Sequence, residues 1–262
     1  MKQYNVFCES NVGKNRTNNE DNFFCAGFFR KDVSIDNFSY DYSFNEQDRS
    51  VIAVFDGMGG ACCGEKASYF AAEALDDYLH EIEKNKLPFD CETATRKMNK
   101  RVCAAANEMN VKMGSTVVLL LYENNYVRIL NVGDSKAYLF RNGALQQVST
   151  DHTEESIFRQ MQMNLGKSLN ASTSAFHNVL TQHLGIDEEE FVLEPAVTEK
   201  IPVCENDIFL LCSDGLTNML NDDIIEEILC AYISDKQKVF FLIENALKKG
   251  GKDNITVSLV CF

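Results

Sequence analysis

The spacing of apolar positions changes several times along the 262-residue chain. Short apolar runs at Asn5–Cys8, Asp21–Phe29 and Val51–Phe55 predict β-strands. Two longer stretches, Glu65–Glu83 and Glu92–Val111, carry apolar residues at helical spacing. Two long helices are therefore predicted between the first strands and those that follow.

Further strands are predicted after these helices. The runs "STVVLLLY", "NYVRILNV" and "KAYLFRNGALQQV" contain residues that favour tight turns, Asn124–Asn125 and Asn142–Gly143, and predict an antiparallel meander. The run "DIFLLCSDG" predicts another strand. Two helical patterns, Asp222–Ile233 and Lys236–Lys249, then precede a last predicted strand, "NITVSLVCF".

The order of these elements predicts an α+β fold, a four-layer sandwich in which two central antiparallel β-sheets are flanked by α-helices. No linker or low-complexity segment divides the chain, so residues 1–262 are expected to form a single domain. The pattern weakens over residues 152–190, which are polar and partly helical. A flap is expected there.

Charge and composition narrow the classes of function. A formal net charge of −14 without a basic cluster argues against a nucleic-acid or anionic-membrane partner. The chain has neither the apolar region of a signal peptide nor a run of roughly 20 apolar residues that could span a bilayer. The ten cysteines are scattered through apolar runs, which fits reduced thiols. We therefore expect a cytoplasmic protein without membrane contact.

Four aspartates lie at the ends of predicted strands, each close to glycine: Asp56, Asp134, Asp214 and Asp253. One such pair usually forms only a turn. If the strand ends converge, however, four carboxylates repel one another unless a cation lies among them. Ligands that are all oxygen favour Mg²⁺ or Mn²⁺ over zinc. Gly57, directly after Asp56, would let the backbone approach such an ion.

Six motifs occur in the order, and at about the separations, of one enzyme family. They are "RTNNEDNFF", "VFDGMGG", "GSTVVLLL", "NVGDSKAYLFRNG", "LLCSDGL" and "KDNITVSLV". Together they span almost the whole chain and are far more specific than any one alone. The chain thus resembles the metal-dependent protein phosphatase family, also called the protein phosphatase 2C family, and in particular its bacterial serine/threonine phosphatase branch.

The resemblance implies a site for two or three divalent cations, Mn²⁺ or Mg²⁺. Asp56 would bridge two ions, and Gly57 would add its carbonyl oxygen to one of them. The other implied ligands are Asp214 and Asp253 for the first ion, Glu20 and Asp21 for the second, partly through water, and Asp134 with Asp214 for a third, weaker ion.

The same resemblance implies the reaction. A hydroxide that bridges the ions would attack the phosphorus of a phosphoserine or phosphothreonine in line, without a phosphoenzyme. Arg16 would bind the substrate phosphate, which suits its planar array of donors. None of the ten cysteines lies in the C-x5-R loop that a cysteine-based phosphatase needs.

The chain departs from the family pattern at several positions. Met58 stands where many eukaryotic members have a histidine proposed as the general acid. Either a metal-bound water or another side chain would then protonate the leaving group. His152 is the nearest candidate by motif, although we interpret it as structural, bonding to the backbone near a strand end.

Three further segments differ from the family or lack a role. Gln182 in "LTQHLG" replaces a common arginine, so whether this position makes a second contact to the phosphate or the flap stays open. His183 is interpreted as a surface or packing residue. Lys31–Arg49 is a longer and more polar link than expected, and we interpret it as an elongated hairpin without a function.

Two alternatives to an active phosphatase remain open from the sequence. One is a catalytically inactive, phosphatase-like binding module, and the other is a different divalent-metal phosphohydrolase acting on nucleotides or nucleic acid. The main interpretation implies phosphorylated proteins as partners, an opposing Ser/Thr kinase by analogy, and a monomer.

Overall fold

A computed structural model describes residues 2–59, 63–165, 179–187 and 191–262. Its first β-sheet has six strands, and every neighbouring pair is antiparallel. In spatial order the strands are β10 (Ala144–Gln147), β9 (Lys136–Arg141), β13 (Ile208–Cys212), β14 (Ile255–Cys261), β1 (Gln3–Asn11) and β3 (Phe38–Asn45).

The second sheet is also antiparallel. In spatial order its strands are β11 (Ala196–Val197), β8 (Tyr126–Val132), β7 (Val117–Glu123), β4 (Ser50–Phe55) and β2 (Asn22–Cys25), with β12 (Ile201–Pro202) also paired to β8. Two short strands, β5 (Gly57–Met58) and β6 (Gly114–Ser115), pair with each other.

Helices cover the outer faces of both sheets. They are α1 (Gly64–Lys84) and α2 (Cys91–Met109) on the second sheet, α5 (Asp222–Cys230) and α6 (Asp235–Lys248) on the first, with α3 (Glu154–Leu165) and the short α4 (Asp214–Thr217) near the strand ends. None of the helices in the described ranges is long and apolar enough to cross a membrane.

The two sheets face each other across an apolar core. Along β1, Tyr4, Val6 and Cys8 are buried on the face that points to the second sheet, where they join Phe23 and Ile52. One further apolar layer lies between each sheet and its helices. The predicted α+β, four-layer arrangement is therefore confirmed.

Two predictions about the N-terminal strands were wrong. The strand expected over Asp21–Phe29 ends at Cys25, because Ala26 and Gly27 both take positive φ angles, 51° and 78°, and reverse the chain. Lys31–Arg49 does not form an elongated hairpin. It contains β3, which pairs with β1 rather than with β4 and forms the edge of the first sheet.

The region predicted as a flap is described in part. Helix α3 lies within it, and Thr153 pairs with Leu180. Residues 166–178 and 188–190 lie outside the described residues.

Candidate metal centre

The predicted aspartates lie at one edge of the two sheets. Asp56 follows β4, Asp134 lies between β8 and β9, Asp214 follows β13, and Asp253 precedes β14. Asp21, just before β2, joins them. The negative charges of the other four aspartates all act on Asp56, so strands from both sheets deliver the acidic side chains to one place.

Asp56 lies at the centre of this group and is partly buried. Burial, and then the negative charges of Asp21 and Asp214, raise its pKa well above the usual value. The Asp56 carboxyl group lies near enough to Asp214 to influence the pKa of Asp214. Burial and the charge of Asp253 likewise raise the pKa of Asp214.

Asp21 is almost completely buried, with 1% of its surface exposed. Its Oδ2 accepts hydrogen bonds from the hydroxyls of Ser213 and Thr256, each at 2.7 Å. Its Oδ1 is buried and has no hydrogen-bond partner among the described residues. Burial raises the pKa of Asp21 to about 7, although the two hydroxyls oppose this shift. A buried carboxylate oxygen without a partner is costly, and a cation would satisfy it.

Asp134 also belongs to the acidic group. Burial, and then the charge of Asp214, raise its pKa to about 7. Asp134 and Asp214 also line a recess of about 340 Å³. Lys136 of β9 and Arg159 of α3 line the same recess. The region predicted as a flap therefore adjoins the acidic group.

Arg16 is a cationic side chain in contact with the acidic group. Its Nη2 donates to Asp253 Oδ2 at 2.8 Å, and its Nη1 lies 3.9 Å from Glu20 Oε2. The hydrogen bond to Asp253 raises the pKa of Arg16. Because 45% of the side chain is exposed, the guanidinium can also meet a molecule that arrives from solvent.

Glu20 is held by its backbone. Its N–H donates to Asn254 Oδ1 at 2.8 Å, and its carbonyl oxygen accepts from the Ser68 hydroxyl at 2.6 Å. Burial raises the pKa of its carboxyl group, and Arg16 opposes the shift.

Gly57 sits where two stretches of backbone meet. A Cβ at this position would lie 2.1 Å from the carbonyl oxygen of Gly64 and 2.5 Å from that of Glu20. The glycine is therefore required by the packing of β5 against the start of α1. Its predicted role as a metal ligand remains a prediction.

Several polar residues of the site were not predicted. Ser213, Thr256 and Asn254 hold Asp21 and Glu20, and Thr116 Oγ1 accepts from the Asp56 N–H at 3.1 Å. All four residues stand inside the motifs that carried the resemblance. The motifs contain these residues, but in each of these hydrogen bonds the partner lies far away in the sequence, so their roles could not be inferred from it.

The residues that depart from the family pattern have structural contacts. His152 Nδ1 accepts from the Gly133 N–H at 3.2 Å, and the His152 N–H donates to the Gly133 carbonyl at 2.8 Å, which confirms a structural role. Gln182 Oε1 accepts from the Glu194 N–H at 2.9 Å. His183 Nδ1 lies 2.9 Å from the Leu184 carbonyl oxygen, as a packing residue would.

The donor set fits hard divalent cations. All side-chain candidates are carboxylates, which Mg²⁺ and Mn²⁺ prefer. Within the described ranges, no group of three or more His, Cys, Asp or Glu side chains stands in position to hold a metal ion without adjustment. Ions of this kind commonly bind through few carboxylates and keep several water ligands, so an open arrangement of acids suits them.

Comparison with known proteins gives a consistent result. A family model described as Protein phosphatase 2C matches residues 32–249. The serine/threonine phosphatase stp of Listeria welshimeri is 34% identical over 223 residues, which cover 82% of this chain and 86% of that protein.

Solved structures share the fold. The serine/threonine phosphatase of S. agalactiae superposes with a TM-score of 0.75 at 25% identity, covering 97% of this chain and 98% of the other. The catalytic domain of the serine/threonine protein phosphatase PstP, in complex with two manganese ions, gives 0.72 at 27% identity and covers 99% of each chain. The family-model match and the Listeria relative show that the chain belongs to the protein phosphatase 2C family.

Proposed function

We propose that this protein removes phosphate from phosphoserine and phosphothreonine residues of proteins in a reaction that depends on divalent cations. The observation that carries the proposal is the convergence of five aspartates from both sheets on one partly open site, with Arg16 beside them. Relatives named as serine/threonine phosphatases, 34% identical in the Listeria case, support the substrate class.

The acidic residues would hold the cations. We assign Asp56 to the position between two ions, with the Gly57 carbonyl beside it. The remaining assigned ligands are Asp214 and Asp253 for one ion, Glu20 and Asp21 for another, and Asp134 together with Asp214 for a third. The two manganese ions bound by PstP support Mn²⁺ or Mg²⁺ as the cofactor. Such ions would supply positive charge for the phosphoryl oxygens and lower the pKa of bound water, so that hydroxide is available to attack near neutral pH.

Arg16 would bind the phosphate of the substrate. Its guanidinium contacts Asp253 and Glu20 at the rim of the site, and nearly half of the side chain is exposed. A planar guanidinium can donate two parallel hydrogen bonds to a phosphoryl group. It therefore orients the phosphorus and stabilises the charge that develops on its oxygens.

The wider assignments follow from the same proposal. We assign the chain to one catalytic domain with a flap within residues 152–190, and the 340 Å³ recess beside α3 supports the flap. None of the cysteines in the described ranges forms a disulfide, which supports a cytoplasmic location. We further propose that the protein is a monomer and that it removes phosphate groups added by a Ser/Thr kinase.

A panel of substrates tests the proposal. Phosphate release is measured with Mn²⁺, with Mg²⁺ and with EDTA on a phosphothreonine peptide, a nucleoside triphosphate and single-stranded DNA. We expect metal-dependent release from the phosphopeptide above all. Preferential release from the nucleotide or DNA would instead identify another phosphohydrolase, and no release from folded protein would identify a binding module.

A further inference from the structure

The buried residue Arg30 contacts the loop that carries two assigned metal ligands, Glu20 and Asp21. Only 2% of Arg30 is exposed. Its Nη2 donates to the carbonyl oxygens of Asn19 at 2.8 Å and of Asp21 at 2.9 Å, while its Nη1 donates to the Ile35 carbonyl at 2.9 Å. One guanidinium thus holds the main chain on both sides of the Glu20–Asp21 peptide.

The segment after Arg30 holds the same loop from a second direction. The Asn19 N–H donates to Asp36 Oδ1 at 3.2 Å, and Asn19 Nδ2 donates to the Asp36 carbonyl at 2.8 Å. Asn37 Oδ1 accepts from the Val12 N–H at 3.0 Å, near the beginning of the loop. The link Lys31–Arg49, for which the sequence suggested no function, therefore contributes contacts to the site.

Arg30 is itself fixed by its surroundings. Its N–H donates to Asn22 Oδ1 at 2.9 Å, its carbonyl accepts from Asn22 Nδ2 at 3.0 Å, and its guanidinium carbon lies 5.1 Å from the centre of the Phe38 ring. A methionine could fill similar space without the cost of burying a charge. Only the planar, multiply donating guanidinium can hold three carbonyl groups at once.

We propose that Arg30 is a positioning residue for the metal centre: with Asp36 it fixes the backbone of Asn19–Asp21 so that the Glu20 and Asp21 side chains reach the cations. The proposal rests on the proposed function only in taking Glu20 and Asp21 as cation ligands. Residues that orient metal ligands without touching the ion commonly control its affinity.

The test measures Mn²⁺ affinity by titration calorimetry in the absence of substrate, on the whole chain. We expect Arg30→Met to weaken Mn²⁺ binding by roughly 10- to 100-fold. Arg30→Lys keeps the charge but cannot span three carbonyls, and it should fall between Arg30→Met and wild type. At saturating Mn²⁺, both variants should recover most of the wild-type rate of phosphate release.

Arg141→Met is the matched control. Arg141 is also held by short hydrogen bonds, with Nε and Nη2 at 2.7 and 2.6 Å from the carboxylate oxygens of the buried Asp207, but it lies on β9 and contacts none of the assigned ligands. It should lower the unfolding temperature in EDTA and leave Mn²⁺ affinity unchanged. This separates a positioning role from a general loss of stability.

Asp36→Ala provides a second variant in a more exposed segment, in case Arg30→Met does not fold. Loss of its hydrogen bond to Asn19 should weaken Mn²⁺ binding by about 2- to 10-fold. Wild-type Mn²⁺ affinity in folded Arg30→Lys and Asp36→Ala would overturn the proposal. A wild-type protein that binds Mn²⁺ but releases no phosphate would refute the proposed function and leave this comparison valid.

Discussion

At the scale of single residues, the crowded carboxylates link stability to pH. The pKa values of Asp21 and Asp134 are raised from 3.8 to about 7 in the folded chain. Between these values the folded state binds protons that the unfolded state has released. The stabilising contribution of these protons is therefore complete below about pH 4 and is lost as the pH rises through about 7.

We predict that the unfolding temperature in EDTA falls by ~5 °C or more between about pH 5 and about pH 8. Asp56→Asn removes one charge from the group, so it should unfold at a higher temperature than wild type at the upper pH and show a flatter profile. Thermal unfolding of both proteins in a pH series measures this. A wild-type unfolding temperature that increases over the same range would contradict the raised pKa values.

Arg16 gives a second prediction at this scale. Arg16→Ala removes the donors assigned to the substrate phosphate, so kcat/KM on a phosphopeptide should fall by roughly 100-fold. Arg16→Lys retains a point charge without the planar donors and should recover only part of this loss. Steady-state kinetics at saturating Mn²⁺ measure both variants. A wild-type kcat/KM in Arg16→Ala would exclude the assigned contact.

Single residues also show what the sequence could and could not predict. Asp56 and Asp214 were predictable because each follows an apolar strand and precedes glycine. The hydroxyl groups that hold Asp21 were not, because Ser213 and Thr256 are 192 and 235 residues away from it. No local pattern records such a contact.

At the scale of elements, the packing of β5 against α1 depends on a close backbone approach. Gly57→Ala would place a Cβ 2.1 Å from the Gly64 carbonyl, so one of the two elements must move. We predict a large loss of phosphate release, together with weaker Mn²⁺ binding, because Asp56 precedes Gly57 directly. Phosphate-release assays and Mn²⁺ titration of the folded variant measure both effects.

Gly143→Ala is the control for this substitution. Gly143 lies in a turn at φ +81°, and a Cβ added there would have no atom within 4 Å, so alanine costs only backbone strain, about 1 kcal/mol. Its activity should equal that of wild type. Full activity in Gly57→Ala would show that the approach of β5 to α1 does not position Asp56.

Elements differ in how far local sequence determines them. Helices α1 and α2 match their predicted ranges to within two residues, since each carries a continuous apolar stripe. Strand β3 was missed although Phe38–Asn45 alternates aromatic and polar residues, a pattern typical of a strand. Its partner β1 is set by tertiary packing, which the local pattern does not record. Because β3 was missed, the contacts that the Lys31–Arg49 segment makes with the loop carrying Glu20 and Asp21 were not predicted either.

At the scale of the whole molecule, the two-sheet core places the site. Strands β4 and β8 belong to one sheet, and β13 and β14 to the other, yet their ends bring acids to the same edge. The net charge of −14 argues against a nucleic-acid surface, but charge alone cannot locate the acidic site. The acidic side chains come together only when the two sheets pack against each other, and the apolar pattern predicted two packed sheets without their strand order.

The most direct test of a cation-dependent phosphatase is phosphate release from a phosphothreonine peptide by wild type and Asp56→Asn in parallel. Each protein is assayed with Mn²⁺, with Mg²⁺ and with EDTA. We predict turnover by wild type with either metal, none in EDTA, and a loss of roughly 1000-fold or more in folded Asp56→Asn. Turnover that persists in EDTA, or equal turnover by the two proteins, would contradict a reaction centred on Asp56.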